Sequence, residues 1–388
     1  MSLPFTRADA LACFDEFLPK AGSFYAKNRN FDFGSGYHDN VSQLSPAIRR
    51  RLISEDEIVK KTLSSHRFGA AEKFIQEVFW RTYWKGWLEM RPSLWTDYRN
   101  HSTPSVTSAQ LEAALAGKTG LACFDAWHDE LVTTNYLHNH ARMWFASIWI
   151  FTFHLPWQAG AHFFMTHLAD GCPASNTLGW RWVAGLQTRG KAYAARADNI
   201  DQFTKGRFQP YGELEEVVVA LDGAENPPAT PIAPLAAPAG QKPLLLITAE
   251  DCLAETLPLA QAPVAIASLP VDCGGAFRSH SVKMADKIAM QDALSRAEAH
   301  YKVPAYALEN AATWQNDLVQ MANEKGADHT LAAYQPTGYW RDTLTSYASA
   351  ASLSHFEVRR AYDSLCWPHA KKGFFPFKEK IPHFIGQL

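Results

Sequence analysis

Between Lys73 and Met90 the apolar residues Phe74, Val78, Trp80, Trp84, Trp87 and Leu88 recur at helical spacing, and Pro92 closes the pattern. A second apolar helix is predicted over His138–Leu155, ended by Pro156. Its apolar stretch Met143–Leu155 is interrupted by Ser147, Thr152 and His154; it is too short for a membrane span and predicts a buried helix. Ser45-Pro46 places an N-cap before a Pro at the first helical position. Ser54 with Glu57 forms a capping-box pattern. Almost nothing before residue 224 reads as a strand, and Tyr211–Leu221 is ambiguous.

The pattern changes after Glu225–Lys242, a Pro/Ala-rich and nearly uncharged stretch that predicts a semi-extended linker. Leu244–Thr248 and Ala265–Leu269 are apolar runs of strand length, followed by helical patterns over Lys283–Tyr301 and Thr313–Lys325. The expected architecture is α+β and multi-domain: an all-α domain over 1–224, a linker over 225–242, and a small α/β, Rossmann-like domain over 243–388. The last segment has neither GxGxxG nor GxxxxGK[ST], so no phosphate loop is predicted there.

Composition narrows the function classes. With 47% hydrophobic and 20% charged residues, the 388-residue chain is globular, and its 13 Trp are the outlier. Net charge is −2, and residues 1–222 carry 23 Lys/Arg and 23 Asp/Glu, so no global positive field announces nucleic-acid binding. Arg49-Arg50-Arg51, with Lys60 and Lys61, reads as the only dense basic run. Met1–Lys20 does not have the form of a signal peptide. The six scattered Cys form neither a disulfide framework nor metal spacing, which suits reduced thiols in a cytoplasm. No membrane association is expected.

Four segments carry candidate chemistry. Ser42 and Ser45 stand at a helix start, where either an anion site or a simple cap is expected. Glu77 and Arg81 lie four apart on a helix beside Trp80. Asn139 and Arg142 lie three apart at another helix start. Asp170–Trp182, DGCPASNTLGWRW, holds an acid, an amide and two Trp, equally a pocket for a flat heteroaromatic ligand or a buried turn with core Trp. His138, His140, His154, His162 and His167 lack the spacing of a metal site and are expected as pocket or core histidines.

Together these segments resemble the FAD-binding helical domain of the DNA photolyase/cryptochrome family, from about Ala8 to Phe208. The strongest matches are GKTG (117–120), Phe124-Asp125-Ala126, HNHARM (138–143), Ala146-Ser147, Trp157 with Gly160, and DGCPASNTLGWRW. The resemblance implies that Tyr25, Ser42, Leu44 and Ser45 hold the FAD phosphates. It implies that Asn139 and Asn176 contact the flavin, Asn176 opposite N5, with an Arg142–Asp170 ion pair against the ring. Glu77, Trp80, Met143 and Trp182 would line a cavity for a flipped-out pyrimidine dimer. Trp180 and Trp157 match the inner members of the electron-transfer chain, and Trp95 is placed at its surface end by position alone.

The implied activity is light-dependent repair of a cyclobutane pyrimidine dimer in UV-damaged DNA, by electron transfer from photoexcited reduced FAD. Asn176 opposite N5 resembles photolyases more than cryptochromes, and Asn139 with Met143 resembles the cyclobutane-dimer type rather than the (6-4) type. The alternatives are a cryptochrome-like blue-light photoreceptor without repair, and a fold that has lost its flavin.

Departures from the family pattern are also visible. The family usually begins with an α/β antenna domain, whereas here an α/β segment follows the linker, as a permuted or reduced domain would; its ending GFFPFKEKIP (373–382) faintly suggests an antenna-type end. Cys172 stands where Asp is expected, and His140 and Asp129 where Arg is usual. The lost positive charge predicts weak duplex binding and a preference for single strands.

Overall fold

The structure is a computed structural model and describes residues 3–103, 108–350 and 353–388. Helices α1 (Arg7–Phe17), α2 (Ser23–Asn28), α3 (Ser45–Arg49), α4 (Glu55–Ser65), α5 (Phe68–Glu89) and α6 (Ser93–His101) open the chain. They are followed by α7 (Ala109–Leu115), α8 (Ala122–Thr134), α9 (Asn139–Ser147), α10 (Trp157–His167), α11 (Pro173–Val183) and α12 (Ala197–Thr204). Among the described residues no strand precedes Pro243, as the sequence predicts. The Ser54/Glu57 capping box forms at the start of α4. The helix predicted over His138–Leu155 breaks instead: α9 passes into a π-helical turn at Ile148–Thr152, and His154 takes φ +53°. Tyr211–Leu221 has no regular structure.

Strands β1 (Pro243–Ile247), β2 (Ala265–Ser268), β3 (Ala305–Ala307), β4 (His329–Ala333) and β5 (His355–Val358) form one parallel sheet in the order β3-β2-β1-β4-β5. β1, β2 and β4 are buried along their whole length, as parallel strands covered on both faces must be. Helices α13 (His280–Tyr301), α14 (Trp314–Lys325) and α15 (Tyr339–Ala350) make the later crossovers.

The C-terminal helices α16 (Ala361–Cys366), α17 (Phe374–Lys378) and α18 (Ile381–Ile385) leave the sheet and pack on α5. Phe79 of α5 meets Tyr362, Phe377 and Phe384, and Thr82 Oγ1 lies 2.8 Å from the Tyr362 hydroxyl. Gly86 admits the approach: a Cβ there would lie 2.8 Å from Trp367 Cα. The end of the segment expected as one α/β domain thus packs against the helical part. The linker is pinned along the surface, with Asn226 accepting from Arg181 (2.9 Å), Pro227 O from Arg91 (2.9 Å) and Ala233 O from Arg359 (3.1 Å).

The run Arg49-Arg50-Arg51 is an internal seam rather than an exposed basic patch. All three side chains are buried. Arg49 pairs with Glu250 at 2.7 Å, Arg50 with Asp286 at 2.7 Å, and Arg51 with Asp251 (3.4 Å) and Asp363 (2.5 Å). Order reverses between β1 and β4, where an open α/β sheet ordinarily receives its ligand beyond the strand ends. Here Glu250 and Asp251, just past β1, meet the arginines of the helical part instead. No helix among the described residues is long and apolar enough to cross a membrane.

Candidate flavin site

Helix α11 packs against α5, α9 and α10, so three of the four motif segments meet around one helix, and Ser45 of the fourth lies near Asp170 just before it. Two polar groups form there. In the first, Arg142 Nη2 donates to Asp170 Oδ2 at 2.9 Å, and Arg142 Nε is held by the Leu137 carbonyl at 2.8 Å. Burial opposes ionisation of Asp170, but Arg142 and the Ser45 hydroxyl more than offset it and hold the carboxyl below its usual range. In the second group, Arg29, at the C-terminal cap of α2, pairs with Glu77 of α5, and Tyr25 lies against both. Burial raises the Glu77 pKa despite Arg29, although 34% of the side chain still meets solvent. Glu77 is thus a carboxyl that burial desolvates and solvent still reaches.

The predicted phosphate residues separate. Ser45 lies near Asp170 without a hydrogen bond to its open oxygen, whereas Leu44 is wholly buried and offers only its backbone N–H, 3.4 Å from Ser42 Oγ. Helix α3 has five residues, so its dipole contributes little. Asn139 is exposed at the first position of α9, and Met143 is half-buried one turn on. Asn176 is buried, with Nδ2 donating to the Ala161 carbonyl at 2.8 Å. Trp80 and Trp182 do not face each other as a ring pair: Trp80 stacks on Phe374 with centroids 3.6 Å apart, and Trp182 on Tyr193 at 5.4 Å.

Cys172 caps α11 and is buried. Burial opposes its ionisation, yet Arg81, Lys85 and Arg49 hold the thiol below its ordinary pKa. The charge that an Asp would have given these cations is supplied by Glu250, 2.7 Å from Arg49 and 2.9 Å from Lys85.

Trp180 is buried edge-on to Trp149 (6.2 Å) and Phe164 (5.1 Å), and its Nε1 has no partner among the described residues. Gly160, one turn after Trp157, permits this position, since a Cβ there would lie 2.3 Å from the Trp180 ring. From Trp157 the aromatic series runs through Tyr98 (6.0 Å) and Trp95 (5.4 Å) to Tyr339 of α15 (4.7 Å). Trp95 is 2% exposed, with Nε1 on Asp342 at 3.0 Å, so it is not a surface terminus. Its place beneath α15 depends on the second domain and leaves no local mark in the sequence.

Of the five histidines singled out, His138 is buried with Nε2 unpartnered among the described residues, His140 stacks on Trp144, and His162 and His167 are half-buried against Phe277 and Phe163. His154 is exposed. Sequence reasoning missed a buried knot of Asp32, His38 and Glu130, whose ligand-type atoms lie within 4.8 Å of one another. Arg207 (2.7 Å) and Trp127 Nε1 (3.0 Å) already occupy Asp32 Oδ2, and His38 Nε2 lies 2.6 Å from Glu130. It also missed Arg29, whose pairing with Glu77 spans two helices and has no fixed spacing.

A profile of the FAD binding domain of DNA photolyase matches residues 74–214. This segment carries the FAD-binding domain of the DNA photolyase family. The deoxyribodipyrimidine photo-lyase of Streptomyces griseus is 32% identical over 176 residues, 42% of this chain and 38% of that protein. That of Escherichia coli is 29% identical over 203 residues, 49% of this chain and 41% of the relative. A crystal structure of a bacterial class III photolyase from Agrobacterium tumefaciens is 27% identical, with a TM-score of 0.45, over 52% of this chain and 43% of its own. The matched part thus spans about two fifths of these family members' length.

FAD fits the residues of this photolyase-type domain. Asp170 gives one oxygen to Arg142 and keeps the other buried without a protein partner among the described residues. A buried carboxylate oxygen is costly unless a donor meets it, and a flavin ring offers an N–H.

Proposed function

We propose that this chain binds FAD between α9 and α11 and uses it to split cyclobutane pyrimidine dimers in DNA under blue light. The observation that carries the reading is the Arg142–Asp170 pair with its open carboxylate oxygen. Asn139 and Asn176 would complete the flavin contacts, with Tyr25, Ser42, Leu44, Ser45 and Cys172 toward the rest of the cofactor. The cofactor, when bound, supplies the electron that opens the dimer ring.

The chain's residues do the remaining work. Glu77, beside Arg29 and with burial favouring its neutral carboxyl, would in its protonated form donate a hydrogen bond to the flipped dimer and stabilise developing negative charge. Met143, Trp80 and Trp182 would supply apolar and stacking surface to the two linked pyrimidines of the flipped dimer, and would exclude water. Trp180 and Trp157, continued by Tyr98 and Trp95, would carry electrons inward when the cofactor is reduced. With no excess of Lys/Arg over Asp/Glu in residues 1–222, the substrate is single-stranded DNA, whose dimer is already unstacked.

One observation favours a photoreceptor without repair: Phe374 covers one face of Trp80. Illumination of a dimer-containing oligothymidylate with wild type and Glu77→Ala separates the two. Repair by wild type that falls in the variant supports the lyase. Flavin reduction by light without repair supports the photoreceptor.

A further inference from the structure

Residues 369–383 lie outside the segment matched by the photolyase profile. They carry Lys371, Lys372, Lys378 and Lys380 against a single acidic residue, Glu379. The backbone beneath the lysines is anchored to α5: the Lys371 carbonyl accepts from Arg91 Nη2 (2.8 Å) and the Lys372 carbonyl from the Tyr83 hydroxyl (2.8 Å). Two residues on, Phe374 stacks on Trp80, so this strap borders the proposed lesion cavity.

Lys371, Lys372 and Lys380 are exposed, as are His369 and His383. Among the described residues, none of the three lysines meets a carboxylate, whereas Lys378 pairs with Glu72 at 3.1 Å. The cations are also close in space: beyond the effect of burial, Lys380, His383 and Lys371 each depress the pKa of His369. Phe375 stands on the same segment with 76% of its surface exposed.

Like charges gathered on an anchored backbone repel one another, and a polyanion relieves that repulsion. A nucleic-acid strand provides both regularly spaced phosphates and base faces that stack on aromatic rings. A membrane would require a broader apolar face, and Phe375 is the one exposed large apolar side chain between residues 369 and 383. We propose that residues 369–383 grip a single nucleic-acid strand beside the cavity, Lys371, Lys372 and Lys380 on its phosphates and Phe375 on a base. This rests on the DNA-lesion reading of the neighbouring site and adds a contact surface that lies outside the family's domain.

The test uses the full chain and a fluorescein-labelled, undamaged oligothymidylate, with anisotropy measured over a series of NaCl concentrations. Each phosphate contact on a single strand contributes about 0.7 to the slope of log K against log salt, so Lys371→Gln/Lys372→Gln/Lys380→Gln is expected to flatten the slope by about 2. Phe375→Ala is expected to weaken binding about tenfold and leave the slope unchanged. Thermal unfolding close to that of wild type verifies that these exposed substitutions leave the fold intact. Variants with wild-type affinity and slope overturn the proposal, as does a wild type that binds no oligonucleotide. Wild-type binding to phosphatidylglycerol vesicles in place of the oligonucleotide overturns it in favour of a lipid surface. Dimer repair is measured on the same preparations. Repair with an unaffected triple variant refutes the strand grip alone. Lysine-dependent binding without repair refutes the lesion reading alone.

Discussion

Trp80 lies face to face with Phe374, ring centroids 3.6 Å apart and planes 11° from parallel. The first belongs to the flavin half and the second to the C-terminal helices, so one stack ties the chain's last segment to the rim of the site. Phe374 is buried. Phe374→Ala is expected to cost about 3–5 kcal/mol and Phe374→Leu less, read as a fall in thermal midpoint. Flavin content is expected to persist in Phe374→Leu, since Phe374 lies outside the Ser45–Arg142–Asp170 group.

The seam between the two parts is ionic and buried. Asp286 accepts from both Arg50 and Arg278. Asp286→Ala leaves two guanidiniums without their carboxylate and is expected to cost about 3–5 kcal/mol. Limited proteolysis would show the linker cut faster in the variant.

Acid is expected to open the same seam. Although burial opposes it, Arg360 and Arg51 hold Asp251 down to about 2, and Arg51, Arg81 and Lys85 do the same for Glu55. Unfolded, both carboxyls take up protons near pH 4. Their stabilisation is therefore complete above about pH 5.5 and is lost as pH falls toward 2. Thermal midpoints measured across that window should fall with pH, and less so in Asp251→Asn.

Asp170→Asn removes the charge that holds Arg142 and the acceptor assigned to the flavin. Hydrogen bonds to charged groups contribute about 1.5–3 kcal/mol, so FAD affinity is expected to fall about tenfold or more. Titration of apoprotein with FAD, followed by flavin fluorescence, measures it. Arg142→Lys should retain part of the affinity.

Trp157→Phe is expected to slow light-driven flavin reduction at least tenfold with flavin content unchanged. Trp95→Phe should slow it less, because Tyr98 and Tyr339 flank Trp95 on either side. Transient absorption after a blue flash distinguishes the two variants.

Local signals were legible to different depths. The period of Phe74–Leu88 and the Ser54/Glu57 box predicted α5 and the start of α4, because both are set within a few turns of chain. The Arg142–Asp170 pair is implied by the family motifs, and the two side chains meet at 2.9 Å. Contacts that span the whole chain left no mark: Glu250 serving the cations around Cys172, Phe374 on Trp80, and the arginine run turned inward. An Arg triplet has the same spelling on a surface or in a seam, and only its distant partners decide. The lysines of 371–380 left no mark either, since GFFPFKEKIP (373–382) reads in the sequence as a domain end, and its seat on α5 is set by distant residues.

The most direct measurement is the visible absorption spectrum of the purified protein, taken before and after blue light with a thiol reductant. The account predicts oxidised-flavin bands that bleach on illumination, and that are lost or sharply reduced in Asp170→Asn. A protein with no flavin band, even after incubation with FAD, would contradict it.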